Sequence, residues 1–196
     1  MKKSFAIMMS ALSALALSGC MGDMLAPRED PSKFYILAEP APAEILPYSG
    51  DIAISSVLLP GYLNRTQITL LNADGTVGIS EFNRWVESPE GMFSRVFARA
   101  FVKNMPNASV FLYPELPPVP GNACDVRISV GRCIGSLGGD LHFEGSCLYS
   151  LGGKSRVYRF AKQVPAGKTY SSYVAALSRC VAEVASEISK EISKNK

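Results

Sequence analysis

The chain has 196 residues, of which 47% are hydrophobic and 19% charged, with a formal net charge of +3. That length suits one hydrophobic core rather than two domains. With no basic stripe or charge run, the near-balanced charge argues against a nucleic-acid partner.

The N-terminus reads as an address. Met1-Lys2-Lys3 is a short positive region, followed by an apolar stretch too short to span a bilayer comfortably. It ends in Leu17-Ser18-Gly19-Cys20. This resembles the bacterial lipoprotein signal, which implies that residues 1–19 are removed and that Cys20 is acylated through its sulfur. Several acyl chains, each contributing about 0.8 kcal/mol per buried CH₂, anchor a protein firmly where one does not. Met21 rather than Asp follows the cysteine, and by the same resemblance the default destination is the periplasmic face of the outer membrane. Loss of Lys2 and Lys3 with the leader lowers the charge from +3 to +1.

Residues 20–32 then read as the acylated N-terminus and a tether rich in Pro, Gly and charge, and residues 33–196 as one periplasmic domain. Lys33–Leu37 is a predicted strand, halted by a Pro-rich stretch. Asp51–Leu59 is a second strand, mostly apolar and buried, broken by Pro60-Gly61. Gln67–Leu71 and Thr76–Ile79 flank Asn72-Ala73-Asp74-Gly75, a hairpin turn whose Asp and Gly accept positive φ. A helix is expected over Gly91–Met105, with Phe93, Val96, Phe97, Ala100 and Phe101 at helical spacing. Val110–Tyr113 is a short strand before a Pro-rich loop.

Two long strands follow. Val126, Ile128, Val130 and Ile134 alternate with Asp125, Arg127, Ser129 and Cys133, and Leu141, Phe143, Cys147 and Tyr149 alternate on the way back. Facing apolar rows should set Ile128 near Cys147 and Ile134 near Leu141. Arg156–Ala161 is the next strand, with Val157 and Phe160 facing inward. An amphipathic helix from Thr169 to Lys194 closes the chain, with Tyr173, Leu177, Cys180, Val181, Val184, Ile188 and Ile192 on one stripe. The expected fold is therefore α+β: one domain with a largely antiparallel sheet, packed by an internal helix and by the long C-terminal helix.

Catalytic motifs are lacking. The single histidine, His142, falls on the polar face of a strand, and no GxSxG, HExxH, CxxC or paired-carboxylate segment occurs. Gly153-Lys154-Ser155 and Gly167-Lys168-Thr169 end like phosphate-binding loops, but Leu148 and Lys162 stand where that loop needs a further glycine, so both are turns. No cofactor or metal is expected, and the chain does not read as an enzyme. Cys124, Cys133, Cys147 and Cys180 are thiols bound for an oxidising compartment. Alternation sets Cys124 and Cys147 on the core face but about four residues apart along the pairing, too far to bridge. It turns Cys133 outward. If one disulfide forms, Cys180 with Cys147 or Cys124 is the expected pair.

Phe34-Tyr35-Ile36-Leu37, then Val57-Leu58-Leu59-Pro60-Gly61-Tyr62-Leu63-Asn64-Arg65-Thr66-Gln67-Ile68, then Phe82-Asn83-Arg84-Trp85-Val86-Glu87 resemble the ABC-type transport auxiliary lipoproteins, which accompany MCE-domain lipid transport systems, including the paraquat-inducible one. The closing helix also fits, so the resemblance covers most of the mature chain. Ser88-Pro89-Glu90-Gly91 departs from the family's smoother helical start, and the cysteines are a second departure. The resemblance implies a non-enzymatic outer-membrane lipoprotein that docks a periplasmic MCE-domain protein of an ABC-type lipid transporter, with a homo-oligomeric ring as one form it could take. The candidate interface or family-motif residues are Pro60, Gly61, Tyr62, Leu63, Asn64, Arg65, Gln67 and Trp85. A Tyr-Leu-Arg-Trp group has the composition of an interface hot spot. The same residues also suit a core, with Arg65 bonded to a carboxylate such as Glu87. The alternative function is a carrier of lipid or another small hydrophobic ligand, which should enclose an apolar cavity of several hundred Å³.

Overall fold

The computed structural model describes residues 29–41, 44–112 and 121–195. The leader, Cys20 and most of the tether lie outside the described residues, as does most of the Pro-rich loop after the fifth strand. Ser32–Lys196 forms one compact unit. Its elements in order are β1 (Lys33–Tyr35), β2 (Asp51–Leu58), a 3₁₀ turn (Gly61–Leu63), β3 (Gln67–Leu71), β4 (Val77–Trp85), α1 (Pro89–Asn104), β5 (Ser109–Leu112), β6 (Cys124–Gly135), β7 (Asp140–Leu151), β8 (Lys154–Pro165) and α2 (Tyr170–Lys194). The α+β class agrees with the sequence reading.

The strands form two sheets rather than one. One has the order β1-β4-β3 and the other β5-β2-β6-β7-β8. The long ladders β6–β7 and β7–β8 are antiparallel, whereas β1–β4, β2–β5 and β2–β6 are parallel. β2 is an interior strand, flanked by β5 and β6, and it is apolar on both faces: Ile52, Ala53, Ile54 and Val57 are all buried. Strands covered on two faces lose the clean alternation of a half-exposed strand.

α1 begins two residues earlier than its apolar spacing suggests. Ser88 caps it, its Oγ accepting from the Gly91 N–H at 3.3 Å, and Pro89 sits in the first turn. Proline fits there because its missing N–H would have had no partner and its φ is already helical. The Ser-Pro-Glu-Gly departure is thus a capped helix start. α2 opens with Thr169 and Ser172 in a reciprocal cap, and every residue of its predicted stripe is buried. The hairpin turn falls where expected, but only Gly75 takes positive φ, at 84°, while Asp74 instead accepts from the Thr76 N–H through its Oδ1.

The β6–β7 ladder departs from simple alternation at one place. Ile128 pairs with Cys147 as expected, but the register shifts between Val130 and Arg132, and Leu141 pairs with Gly135 rather than Ile134. Gly131 is the extra residue of a β-bulge, which re-aims the residues beyond it. Cys133 is therefore buried, not turned outward. Gly145 lies across from the bulge, and a Cβ there would collide with the Ser129 carbonyl oxygen and the Phe160 ring. In β8, Phe160 is buried but Val157 is exposed, correcting the reading that faced both inward. Positions three apart on a strand point to opposite faces.

Candidate functional site

The break at Pro60-Gly61 has a structural purpose. β2 pairs with β6 only as far as Leu58 and Ser129. Beyond that point the edge of β6 would lack backbone partners, and a buried N–H without one is costly. Pro60, at φ −57° and ψ 143°, turns the chain into the 3₁₀ turn, where the Leu63 N–H donates to the Pro60 oxygen at 2.9 Å. That turn swings Tyr62 over β6, and its hydroxyl accepts from the Cys133 N–H at 2.9 Å. Burial pushes the Tyr62 phenol above its ordinary pKa, which keeps it neutral. The same turn drives Leu63 into the core.

Trp85 is 4% exposed. Its backbone N–H donates to the Thr66 carbonyl oxygen at 2.6 Å, and it pairs in register with Tyr35. Leu63, Trp85, Phe93 of α1, Cys133 of β6 and Tyr173 and Leu177 of α2 surround a hollow of only about 10 Å³. Tyr62, Leu63 and Trp85 therefore join the two sheets to both helices. Pro60 and Gln67 are half-buried, whereas Gly61, Asn64 and Arg65 are exposed.

Among the described residues Arg65 makes no ion pair. The pairing of Arg65 with Glu87 is corrected, because Glu87 is held by α1: Arg95 grips its carboxylate with both terminal nitrogens, the Nη1 contact being 2.6 Å. Those hydrogen bonds hold the Glu87 carboxyl below the usual carboxylate range and raise Arg95. Beside Arg65 the surface has a dip of about 110 Å³ lined by Leu58, Leu59, Gly61, Asn64 and Glu90. The motif thus has a buried half and an exposed rim.

Among the described residues Cys124, Cys133, Cys147 and Cys180 are free, buried thiols, so the bridge expected from Cys180 to Cys147 or Cys124 is not formed in this structure. Burial raises the thiol of Cys124 to about 11, Cys147 to about 12 and Cys180 to about 11, and pushes Cys133 up further. Among the described residues no group of three His, Cys, Asp or Glu side chains is placed to share a metal ion. No described helix is long and apolar enough to cross a membrane.

One surface escaped the sequence reading. Phe34, Ile36, Val77, Ile79, Phe82 and Val86, on the three-stranded sheet or just past its strands, are exposed, Phe34 by 62%. The signal was present in Phe34-Tyr35-Ile36-Leu37, which is apolar on both parities although only Leu37 is buried and Tyr35 half-buried.

Residues 35–189 match the family described as the ABC-type transport auxiliary lipoprotein component. The chain belongs to that family. No curated protein sequence matches it. Among solved structures, the fold is similar to that of an uncharacterized protein, with a TM-score of 0.69 at 17% identity, covering 82% of this chain and 98% of that one. A protein from Xanthomonas campestris placed in family DUF330 aligns with a TM-score of 0.57 at 14% identity, covering 84% of this chain and all of that one. These likenesses show a shared fold.

Proposed function

We propose that this auxiliary lipoprotein is acylated at Cys20, sits on the periplasmic face of the outer membrane, and docks the MCE-domain protein of an ABC-type lipid transporter there. It does no chemistry itself. Its role is to hold the outer end of the transport assembly at the membrane, so that lipid crosses the gap without entering water. Assembly as a homo-oligomeric ring would let it match a partner of the same symmetry.

The observation that carries this reading is the division of the family motif. Its apolar members are consumed by the core, while Asn64 and Arg65 remain exposed beside the dip at Leu58 and Gly61. An exposed arginine next in the chain to a dip of mixed lining, Leu58 and Leu59 with Asn64 and Glu90, is suited to recognition by a protein partner. The carrier reading fares less well, because among the described residues the hollow beneath Trp85 is about 10 Å³ and those of about 370 and 590 Å³ are open surface grooves. A ligand carrier needs an enclosed apolar space of several hundred Å³.

The experiment is affinity capture of the acylated protein from envelope extract, beside a Cys20→Ser variant. The reading expects an MCE-domain protein to be retained by the wild-type chain, and the variant to leave the outer-membrane fraction. Palmitate incorporation into Cys20→Ser, or retention of that variant in the outer membrane, would overturn the anchor. Capture without any MCE-domain protein would overturn the docking role.

A further inference from the structure

The three-stranded sheet is closed at β3, where the neighbouring Ile68 and Thr69 are both buried, but its β1–β4 ladder is open on the face that carries Phe34. Tyr35 packs against the core, and Ile68 and Trp85 are buried within it. On the opposite side Phe34 stands beside Arg84 in the ladder, and Arg84 donates its Nε–H to the Glu81 oxygen at 2.9 Å. Phe82 and Val86 share the parity of Arg84, and Ile36 that of Phe34, and all four apolar side chains are exposed, with Lys33 and Glu81 exposed on the same two strands. A soluble protein rarely leaves so many large apolar side chains on one small sheet in water, and such faces mark a binding surface.

The place of this face in the chain points to its occupant. β1 is the first element after the tether, and Cys20 precedes Lys33 by thirteen residues. Fully extended, that length reaches at most about 45 Å. Phe34 and Ile36 follow the tether's end directly, so the acyl anchor and the apolar face are joined by one short chain. Lys33, exposed at the same point, offers a cation for lipid phosphates. From this juxtaposition we propose that the open face of the three-stranded sheet lies against the lipid surface, with Phe34, Ile36, Phe82 and Val86 seated at the headgroup boundary. The acyl chains then supply the anchor and the sheet supplies an orientation. Held by its tether alone, the domain would tumble; seated on this face, it presents a fixed side to the periplasm. The inference rests on acylation of Cys20.

The test uses the full acylated chain on vesicles of phosphatidylethanolamine and phosphatidylglycerol. Cysteines are introduced singly as Val86→Cys on this face and Val157→Cys on the exposed side of β8, and each carries a fluorophore. Neither site is buried, whereas the native thiols Cys124, Cys133, Cys147 and Cys180 are, and their raised pKa values keep them unreactive at neutral pH. Aqueous iodide should quench the label at 86 several-fold less than the label at 157. Equal quenching on protein that floats with the vesicles overturns the seated face and leaves the anchor standing. Failure of the wild-type chain to float overturns the anchor and the proposal with it. Protection of the label at 86 in a Cys20→Ser protein without vesicles also overturns it, since a second copy of the chain would then be the cover.

Discussion

The two sheets follow the same alternation rules and end in opposite states. In the five-stranded sheet, side chains that leave the core side are mostly charged or small, among them Asp125, Arg127, Ser129, Arg132 and Glu144, with Leu58, Leu148 and Val157 as scattered apolar exceptions on three different strands. In the three-stranded sheet the exposed strand positions are mostly large and apolar, Phe34, Val77, Ile79 and Phe82 beside Lys33 and Glu81. Both sheets bury an inner face against helices, so core formation does not explain the difference. Apolar residues on a solvent face cost solubility and add nothing to a monomer's core. On the seating proposed above, the small sheet has work outside the fold, whereas the large sheet serves as scaffold.

Substitutions should separate the two roles. The largest effect is expected at Val184→Asp, which puts a charge on the fully buried stripe of α2. It should cost about 4 kcal/mol or more, most of a marginal domain's stability, as read by urea denaturation. Ser186→Asp, off that stripe, serves as the control and should be nearly silent. Trp85→Ala, on the inner face of the small sheet, should cost about 3–4 kcal/mol by opening a cavity between both helices. On the outer face of the same sheet, Phe82→Ser should change stability by less than about 0.5 kcal/mol. A costly Phe82→Ser would erase the contrast between the two faces.

A smaller effect should appear with pH. Glu87 has a lowered pKa in the folded chain because Arg95 hydrogen-bonds its ionised form. A depressed carboxylate contributes stability that is present above its unfolded pKa, near about 4.3, and is lost as pH falls through the folded value. Wild type should therefore lose more stability than Glu87→Gln on acidification below that range, with the two converging at low pH. Parallel acid titrations of the two chains would deny the ion pair any part in joining β4 to α1.

Most of the architecture was legible because it was written in periodicity. The stripe of α2 and the hairpin at Gly75 needed only spacing and turn chemistry. The bulge at Gly131 was not legible, because a single extra residue leaves the pattern on either side intact while inverting its meaning beyond. That inversion is why Cys133 went to the wrong face. The start of α1 was carried by Ser88 and Pro89, cap residues that an apolar stripe does not include. Within the motif, residue type could not separate core from rim: Tyr62 and Trp85 suit either place, and only the end of the β2–β6 ladder explains why Tyr62 turns inward. The outer face of the small sheet was hidden for a related reason, since a strand apolar on both sides reads as doubly buried.

The central claim is that the motif's exposed rim binds a partner while its apolar members hold the fold, and Arg65→Ala tests it most directly. Its melting temperature should stay at the wild-type value, because the guanidinium is exposed and makes no ion pair among the described residues. Titration against the proposed MCE-domain partner should show binding weakened by about 2 kcal/mol, roughly thirtyfold in Kd. A variant that melts lower, yet binds as well per folded molecule, would contradict the account and return Arg65 to the scaffold.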